Sequence, residues 1–331
     1  MKKRSLYLDC HTGISGDMVV AALLDAGADR EVLETVLRSI PVSGFGIAIS
    51  RVQKAALSAC DFKVILDAAH ENHDHDMKYL YGKEESHAHG GHFHSEESHT
   101  HGEHHHHEHR GLTEIYSIID GTNMLDSART LAKKIFRILA EAEAKAHGVP
   151  VEEVHFHEVG AMDAVADIVG VCLAIYKLAP EQIIASPVHV GYGQIHCAHG
   201  ILPIPAPATA HILQGIPIYG GRIEGELCTP TGAALLKHFA QSFGQMPMMA
   251  VEQTGYGMGM KDFTDANCLR AIIGNTVEGQ EQTGCHGAVQ EMDSIIELCC
   301  NLDDMTPEKI GFVTELLMEE GAFDVYTTNI Q

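Results

Sequence analysis

The chain has 331 residues, enough for about two domains, and 45 % of them are hydrophobic, so a sizeable core can form. The formal net charge of −23 repels phosphate backbones and excludes general nucleic-acid binding, whereas an acidic surface concentrates cations. No run of about 18 apolar residues exists, so no membrane helix is expected. The basic N-terminus meets Asp9 and His11 too early for a signal peptide, so we expect a cytoplasmic protein.

The first 69 residues predict strands that alternate with helices. Residues 5–9 form a strand, and residues 16–26 and 30–39 form helices, the first of which stops at a glycine. Residues 46–52 and 60–66 alternate like strands. This order is typical of an α/β protein with a mixed sheet and flanking helices.

Residues 70–110 form a His-rich insertion. Fourteen of the 24 histidines lie between His70 and His109, among acidic and small residues with hardly any aliphatic side chain. Such a segment cannot bury enough apolar surface to offset its ordering, so we expect it to be disordered. It is interpreted as a flexible store of divalent metal, since imidazole binds Ni²⁺ and Zn²⁺ readily. The alternative is a solvated linker that binds metal only incidentally.

The α/β pattern resumes over residues 111–273, which together with residues 1–69 form the predicted N-terminal domain. Helical periodicity and capping signals predict helices at residues 112–119, 125–147, 162–178, 208–213 and 230–243. Extended segments are expected at residues 154–158, 182–190 (broken by a proline) and 269–273.

The C-terminal part predicts a small separate module. Residues 274–291 are polar and indicate a linker, and residues 292–331 predict a strand, a helix over 307–320 and a second strand over 323–330. Two strands and one helix are marginal alone. We therefore expect the incomplete start of a β-α-β, ferredoxin-like module.

The first cluster of chemically active residues follows strand 5–9, where a glycine-rich turn leads into a helix. Backbone N–H groups and the helix dipole could bind an anion there, or the acidic and imidazole groups could hold a metal or move protons. The alternative is a tight turn in which a carboxylate compensates the dipole. The candidate catalytic residues are Asp9, His11 and Asp17, and the candidate cofactor-binding residues are Gly13, Ser15 and Gly16.

The second cluster joins a short extended segment to the next helix. His155 and His157 share one face of a strand, Glu158 follows, and Asp163 and Asp167 share one face of the helix. We assign His155, His157, Glu158 and Asp167 as candidate metal ligands and Asp163 as a candidate catalytic residue. The alternatives are strand-edge polarity for the histidines and dipole compensation for the aspartates.

Two further clusters complete the candidate site. His189, His196 and His199 lie among glycines after a strand and are candidate metal ligands, although a lone His189 could equally be a buried structural histidine. Another set opens a helix and could bind a phosphate or carboxylate, with a plain capped helix as the favoured alternative. These cofactor-binding candidates are Thr229, Thr231 and Gly232.

These segments together resemble one family, the nickel insertion proteins of lactate racemase maturation. The matching strings are LDCHTGISGDM, VHFHEVGAMDAVADIVG, SPVHVGYG, HGILPIPAPAT, ELCTPTGAALL, TGYGMG and NLDDMTPE. They extend from the first strand almost to the last residue, and an internal His-rich insertion is similar to that of family members.

The resemblance implies that Ni²⁺ is inserted between the two thiocarboxylate sulfurs and the ring C4 of a pyridinium dithiocarboxylate mononucleotide. It implies the use of CTP with Mg²⁺ or Mn²⁺, the release of CMP and pyrophosphate, and a recipient racemase. Forming the metal–carbon bond removes a ring proton, so a base is needed, and His155, His157 or Asp163 could serve. We also expect a homo-oligomer.

In the resembled family the C-terminal domain binds CTP, and here it is expected to be truncated, with Asp303 and Asp304 as candidate metal or nucleotide contacts. The alternative to nickel insertion is therefore a non-catalytic nickel reservoir or chaperone. A metal-dependent hydrolase is a third hypothesis without a supporting motif.

Overall fold

The computed structural model describes residues 2–66, 110–156, 162–197, 200–263, 265–277, 300, 302 and 305–327. The chain divides into two units, Met1–Gly279 and Gln280–Gln331, and each is described by itself. The His-rich segment 70–109 lies outside the described residues, as does most of the segment expected to be a linker.

A seven-stranded mixed sheet organises the first unit, as expected for the α/β class. From one edge to the other its strands, numbered along the chain, are β13 (Ser242–Phe243), β6 (Gln182–Ala185), β1 (Lys2–Asp9), β15 (Cys268–Val277), β14 (Met249–Met258), β3 (Leu57–Leu66) and β2 (Phe45–Lys54). Strands β13, β6 and β1 are parallel, and β15 is antiparallel to both of its neighbours. Strand β1 is the third strand from one edge, so it has a neighbouring strand on each side.

The side chains of β1 alternate between the two faces of the sheet. Leu6 and Leu8 join the main core beneath the helices, and Tyr7 joins a small cluster on the opposite face with Ile184 and Ile272. This period of two is the physical basis of the strand prediction for residues 5–9.

Helices cover the first of these faces. They are α1 (Gly16–Asp25), α2 (Arg30–Leu37), α3 (Leu112–Asp120), α4 (Asp126–His147), α5 (Met162–Leu178), α6 (Pro207–Ile212) and α7 (Pro230–Phe239). Helix α1 packs on β14 and α5, and α4 packs on α5, α6 and α7. Helix α5 is apolar on nearly every side because neighbouring helices enclose it.

Two glycines of β14 let α1 lie directly on the sheet. A Cβ added at Gly255 would lie 2.1 Å from the carbonyl oxygen of Ala22, and one added at Gly257 would lie 2.0 Å from that of Met18. The TGYGMG string therefore serves close packing of backbone on backbone rather than a turn.

Four short two-stranded pairings lie outside this sheet. They are β7 (Val188–His189) with β11 (Ile218–Tyr219), β8 (Gly191–Tyr192) with β12 (Gly225–Glu226), β9 (Gln194–Cys197) with β10 (Gly200–Pro203), and β4 (Arg110–Gly111) with β5 (His155–Phe156). The 182–190 strand is split because Ser186 and Pro187 leave the sheet between β6 and β7.

Three predicted boundaries are wrong. The helix expected over residues 230–243 ends at Phe239, because Ala240 is extended and Ser242–Phe243 pairs in parallel with Ile184 and Ala185. Strand β15 continues to Val277, into the segment expected to be a linker. Arg110, expected at the end of the insertion, lies in β4.

The second unit contains helix α8 (Pro307–Glu319), which follows an extended Thr306 as predicted. The strand expected over residues 323–330 is not formed in its described part, residues 323–327. A strand is defined by hydrogen bonds to a neighbour, and those five residues make no ladder. Asp303 and Asp304 lie outside the described residues. Of all the described helices, none has the length and apolarity to cross a membrane.

Candidate functional site

The candidate site lies at the carboxyl end of the interior strand β1. Asp9 is the last residue of this strand, and the turn that follows is closed by a hydrogen bond of 3.0 Å from the Gly13 N–H to the Cys10 carbonyl. The Ile14 N–H then donates to the Leu227 carbonyl at 2.8 Å. In open α/β sheets, ligands bind outside the carboxyl ends of the strands, so this turn is well placed for function.

Three side chains form a hydrogen-bonded chain at this edge. Nδ1 of His11 contacts Oδ1 of Asp9, and the guanidinium of Arg270 donates to Oδ2 of Asp9 through Nη2 and, at 3.1 Å, through Nε. The His11 side chain is 61 % exposed, whereas that of Asp9 is only 14 % exposed. A solvent-facing imidazole is thus held by a mostly buried carboxylate, which is held in turn by an arginine.

Asp9 is held in its charged form. Burial by itself would raise its pKa, but the hydrogen bonds and charges of His11 and Arg270 outweigh that effect and lower the pKa below its ordinary value. Because a carboxylate can only accept, Nδ1 of His11 carries the proton in this contact. When the ring is neutral, the other nitrogen, Nε2, has a lone pair that can take a proton or bind a metal.

We expect acid to weaken the fold through Asp9. A lowered carboxyl pKa contributes stability that is complete above the ordinary value of about 3.9 and is lost as the pH falls through the folded-state value. Asp9→Asn should cost about 1–2 kcal/mol of unfolding free energy at pH 7, a modest figure because Arg270 is partly exposed. Urea unfolding at pH 7 and pH 3 should show this difference shrinking in acid.

The matched control for that experiment is Asp126→Asn, whose side chain is 96 % exposed in its pair with Arg129. Its effect should be small at both pH values. The unfolding free energies of Asp9→Asn and the unmodified chain should differ less at pH 3 than at pH 7. An equal difference at both pH values would contradict the stabilising role of the Asp9 charge.

His189 lies directly behind the turn. Its Nδ1 is 2.9 Å from the carbonyl oxygen of His11, and its Nε2 is 2.8 Å from that of Gly220. Tyr219 stacks on the ring and donates from its hydroxyl to the same His11 oxygen at 3.4 Å. Each His189 nitrogen faces a carbonyl oxygen, so ligation of a metal would require one contact to break. Its assignment as a metal ligand stays a prediction.

An acidic group lies where α1 and α5 begin. Ser15 caps α1 and donates from its hydroxyl to Asp17, and Gly16 packs so closely on Asp167 that an added Cβ would lie 2.4 Å from Oδ2. Asp163, in the first turn of α5, is exposed and accepts the Ala164 N–H at 2.8 Å. The first and second clusters of the sequence thus meet here.

Burial is the main cause that raises the pKa of the carboxyl groups of Asp17 and Asp167. Burial and then the charges of Asp17 and Asp163 raise the pKa of Asp167 well above its ordinary value. The pKa of Asp17 is also raised, chiefly by burial, against the hydrogen bonds from Ser15 and the Met18 N–H that lower it. A group of this kind can hold a proton near neutral pH or exchange it for a cation.

The fourth cluster meets the same turn. The Thr229 hydroxyl accepts the Gly232 N–H at 3.2 Å, and the Thr229 N–H donates to the Ile14 carbonyl at 3.1 Å. A Cβ at Gly232 would lie 2.3 Å from that carbonyl oxygen, and Thr231 is buried. The start of α7 is therefore packed against the α1 turn, which favours the capped-helix alternative. Anion binding by Thr229, Thr231 and Gly232 stays a prediction.

The remaining predicted ligands cannot be placed at the level of side chains. His155 and His196 belong to β5 and β9, and only their backbones are described. His157, Glu158 and His199 lie outside the described residues. Within the described part of the chain, no group of three or more His, Cys, Asp or Glu side chains is arranged to hold a metal ion.

The sequence interpretation missed two side chains at the site, Arg270 and Tyr219. Arg270 is 261 positions from Asp9 and reaches it because β15 pairs with β1 in the register Asp9 to Arg270. Tyr219 reaches His11 through the pairing of β11 with β7. Neither position has a local spacing signal, so only the order of strands in the sheets could reveal them.

The fold and these contacts define an α/β protein whose candidate site lies at the carboxyl end of β1, in a mixed sheet. The sequence model of the family described as "Nickel insertion protein" matches residues 6–331. The chain belongs to this nickel insertion protein family, as its sequence motifs indicated.

Three relatives, each named pyridinium-3,5-bisthiocarboxylic acid mononucleotide nickel insertion protein, support this membership. Identity is 39 % to that of Geobacillus kaustophilus, over 98 % of this chain and 72 % of the relative. It is 38 % to that of Staphylococcus epidermidis, over 99 % and 71 %, and 39 % to that of Alkaliphilus metalliredigens, over 98 % and 74 %. No solved structure matches the chain.

Proposed function

We propose that this protein inserts Ni²⁺ into pyridinium-3,5-bisthiocarboxylic acid mononucleotide, the compound in the names of its relatives. The observation that carries the proposal is the exposed imidazole of His11, with Nδ1 fixed on Asp9 and Nε2 left to accept a proton. Insertion breaks the C4–H bond of the ring and forms a nickel–carbon bond, so one proton must leave. We assign that proton to Nε2 of His11.

Asp9 orients the His11 ring, and Arg270 keeps Asp9 ionised. The carboxylate fixes the ring tautomer and stabilises the imidazolium formed when the proton arrives. Arg270 keeps the carboxylate ionised, since its hydrogen bonds help to lower the pKa of Asp9. The carboxyl groups of Asp17, Asp163 and Asp167, when ionised, would attract the incoming cation by their charge.

Nickel itself is the cargo, and the soft sulfur of the substrate suits it better than carboxylate oxygen does, which favours transfer from such ligands to the substrate. Among the metal ligands predicted from sequence, Asp167 lies beside the α1 turn. We include His155, His157, Glu158, His189, His196 and His199 as the proposed delivery ligands.

The co-substrate, the reaction class and the recipient protein are proposed from the family resemblance. We propose CTP with Mg²⁺ or Mn²⁺ as co-substrate, Asp303 and Asp304 as its contacts, a lyase-type cyclometallation and a lactate racemase as recipient. A cytoplasmic location and a homo-oligomer belong to the same proposal. Thr229, Thr231 and Gly232 stay proposed anion contacts, although the Ile14 carbonyl packs against Gly232, and we assign no reaction step to CTP.

The experiment is reconstitution with purified chain, NiCl₂, the dithiocarboxylate mononucleotide and CTP with Mg²⁺. Mass spectrometry should detect a product that has gained one nickel and lost the ring proton. Omitting CTP tests the co-substrate, and omitting protein gives the background. Absence of the nickel–carbon product with every component present would refute the proposed activity.

A nickel reservoir is the second candidate, favoured by the fourteen histidines between His70 and His109. Calorimetric titration of the chain with and without residues 70–109 separates the two functions. An insertion protein should keep about one tightly bound nickel after the deletion, whereas a reservoir should lose all tight binding.

A further inference from the structure

Tyr219 and His189 form a parallel aromatic pair beside His11. Their ring centroids are 4.7 Å apart and their planes differ by 6°. His189 is only 4 % exposed and is held by its contacts with the carbonyl oxygens of His11 and Gly220. One face of the Tyr219 ring is therefore covered by a buried ring that cannot readily move.

The surroundings keep Tyr219 in this orientation. Its backbone pairs with that of His189, and its hydroxyl donates to the His11 carbonyl oxygen. At Gly221, where φ is +67°, an added Cβ would lie 1.9 Å from Nε2 of His189. The glycine lets the turn pass close to the histidine. Tyr219 itself remains 36 % exposed, so a ligand can reach it next to the base.

We propose that the uncovered face of Tyr219 is the platform on which the cationic pyridinium ring of the substrate stacks. The proposal rests on the proposed function, because it identifies the part of the substrate that this side chain contacts. A tyrosine face carries negative quadrupole charge and attracts a planar cation that lies parallel to it. The stack would bring the ring carbon that loses its proton beside His11.

The negative charge of Asp9 near Tyr219 favours a cationic ligand over an anionic one. The pKa of Tyr219 is raised chiefly by burial and further by the negative charge of the nearby Asp9 carboxylate. The phenol is therefore neutral at pH 7 and keeps its hydroxyl proton for the His11 carbonyl.

Tryptophan fluorescence gives a direct test, because the chain contains no tryptophan. Tyr219→Trp introduces a single indole at the platform and should strengthen stacking. Nicotinic acid mononucleotide, a pyridinium nucleotide, should quench its emission in a saturable manner, and the reduced dihydropyridine form should not. Tyr176→Trp, on the exposed side of α5, is the control and should show only linear collisional quenching. Linear quenching at both positions would overturn the platform.

Kinetics provide the second readout. Tyr219→Leu should raise KM for the pyridinium nucleotide by about 5- to 30-fold, the range expected for a lost cation–π contact. Its kcat should change much less. Tyr219→Phe keeps the ring and should stay within about 3-fold of the unmodified protein in KM. An unchanged KM in Tyr219→Leu would refute the stacking role.

The two proposals fail in different ways. Saturable quenching of Tyr219→Trp without any nickel product would leave the platform standing and remove the proposed activity. A nickel product made with unchanged KM by Tyr219→Leu would keep the activity and remove the platform.

Discussion

His11→Gln should abolish nickel insertion while leaving the protein folded. Glutamine can still donate a hydrogen bond to Asp9, but it has no basic nitrogen to accept the ring proton, so we expect the rate to fall at least about 100-fold. Because the His11 side chain is 61 % exposed, its loss should change the unfolding free energy by under about 1 kcal/mol. Single-turnover formation of the nickel product and urea unfolding measure the two quantities.

His147→Gln is the matched control. His147 is another exposed histidine, at the end of α4, and the same substitution there should leave insertion unchanged. A His11 variant that keeps more than about a third of the unmodified rate would show that another group takes the proton. The side chains of His155 and His157 would then be the next to replace.

Gly13→Ala should destabilise the protein strongly. Gly13 has φ of +98°, which L side chains rarely adopt, and an added Cβ would lie 2.2 Å from the carbonyl oxygen of Leu227. Backbone strain and the forced shift together should cost about 2–5 kcal/mol. The shift would also separate the turn from the segment that leads into α7, so nickel insertion should fall with stability. Urea unfolding of Gly13→Ala measures this loss of unfolding free energy.

Gly148→Ala is the control that separates the cost of a positive φ from the cost of a steric clash. Gly148 also has a positive φ, +68°, at the end of α4, but an added Cβ there has no neighbour within 4 Å. This variant should cost only about 1–2 kcal/mol. Equal losses of unfolding free energy in the two variants would mean that Leu227 can move away from an added Cβ at little cost. The close approach of Gly13 to Leu227 would then not be required by the turn.

The positions of the two active groups suggest a division of labour. In the proposed reaction the His11–Asp9–Arg270 chain accepts the proton, whereas the carboxyl groups of Asp17 and Asp167 form a separate, more buried group at the start of α1. Both depend on the same short turn between β1 and α1. This explains why one contiguous string of the sequence carried so many candidate residues.

The sequence by itself determined the local elements and the family. The strand predicted at residues 5–9 is the carboxyl-terminal part of β1, and the helix predicted at residues 162–178 has the observed bounds of α5, Met162–Leu178. These signals are local, since strand and helix periodicities are written into neighbouring residues. The long motifs likewise identified the nickel insertion family. The clusters at the starts of α1, α5 and α7 were found for the same reason.

Only the tertiary structure decided how those elements meet. The pairing of β15 with β1 brings Arg270 to Asp9, and the pairing of β11 with β7 stacks Tyr219 on His189. Tertiary structure also determines that α7 ends at Phe239, because Ser242–Phe243 pairs with β6 as the edge strand of the sheet. Contacts between residues so distant in the chain depend on strand order and register. No local pattern encodes these, because their free energy comes from packing and hydrogen bonds formed only when the whole sheet assembles.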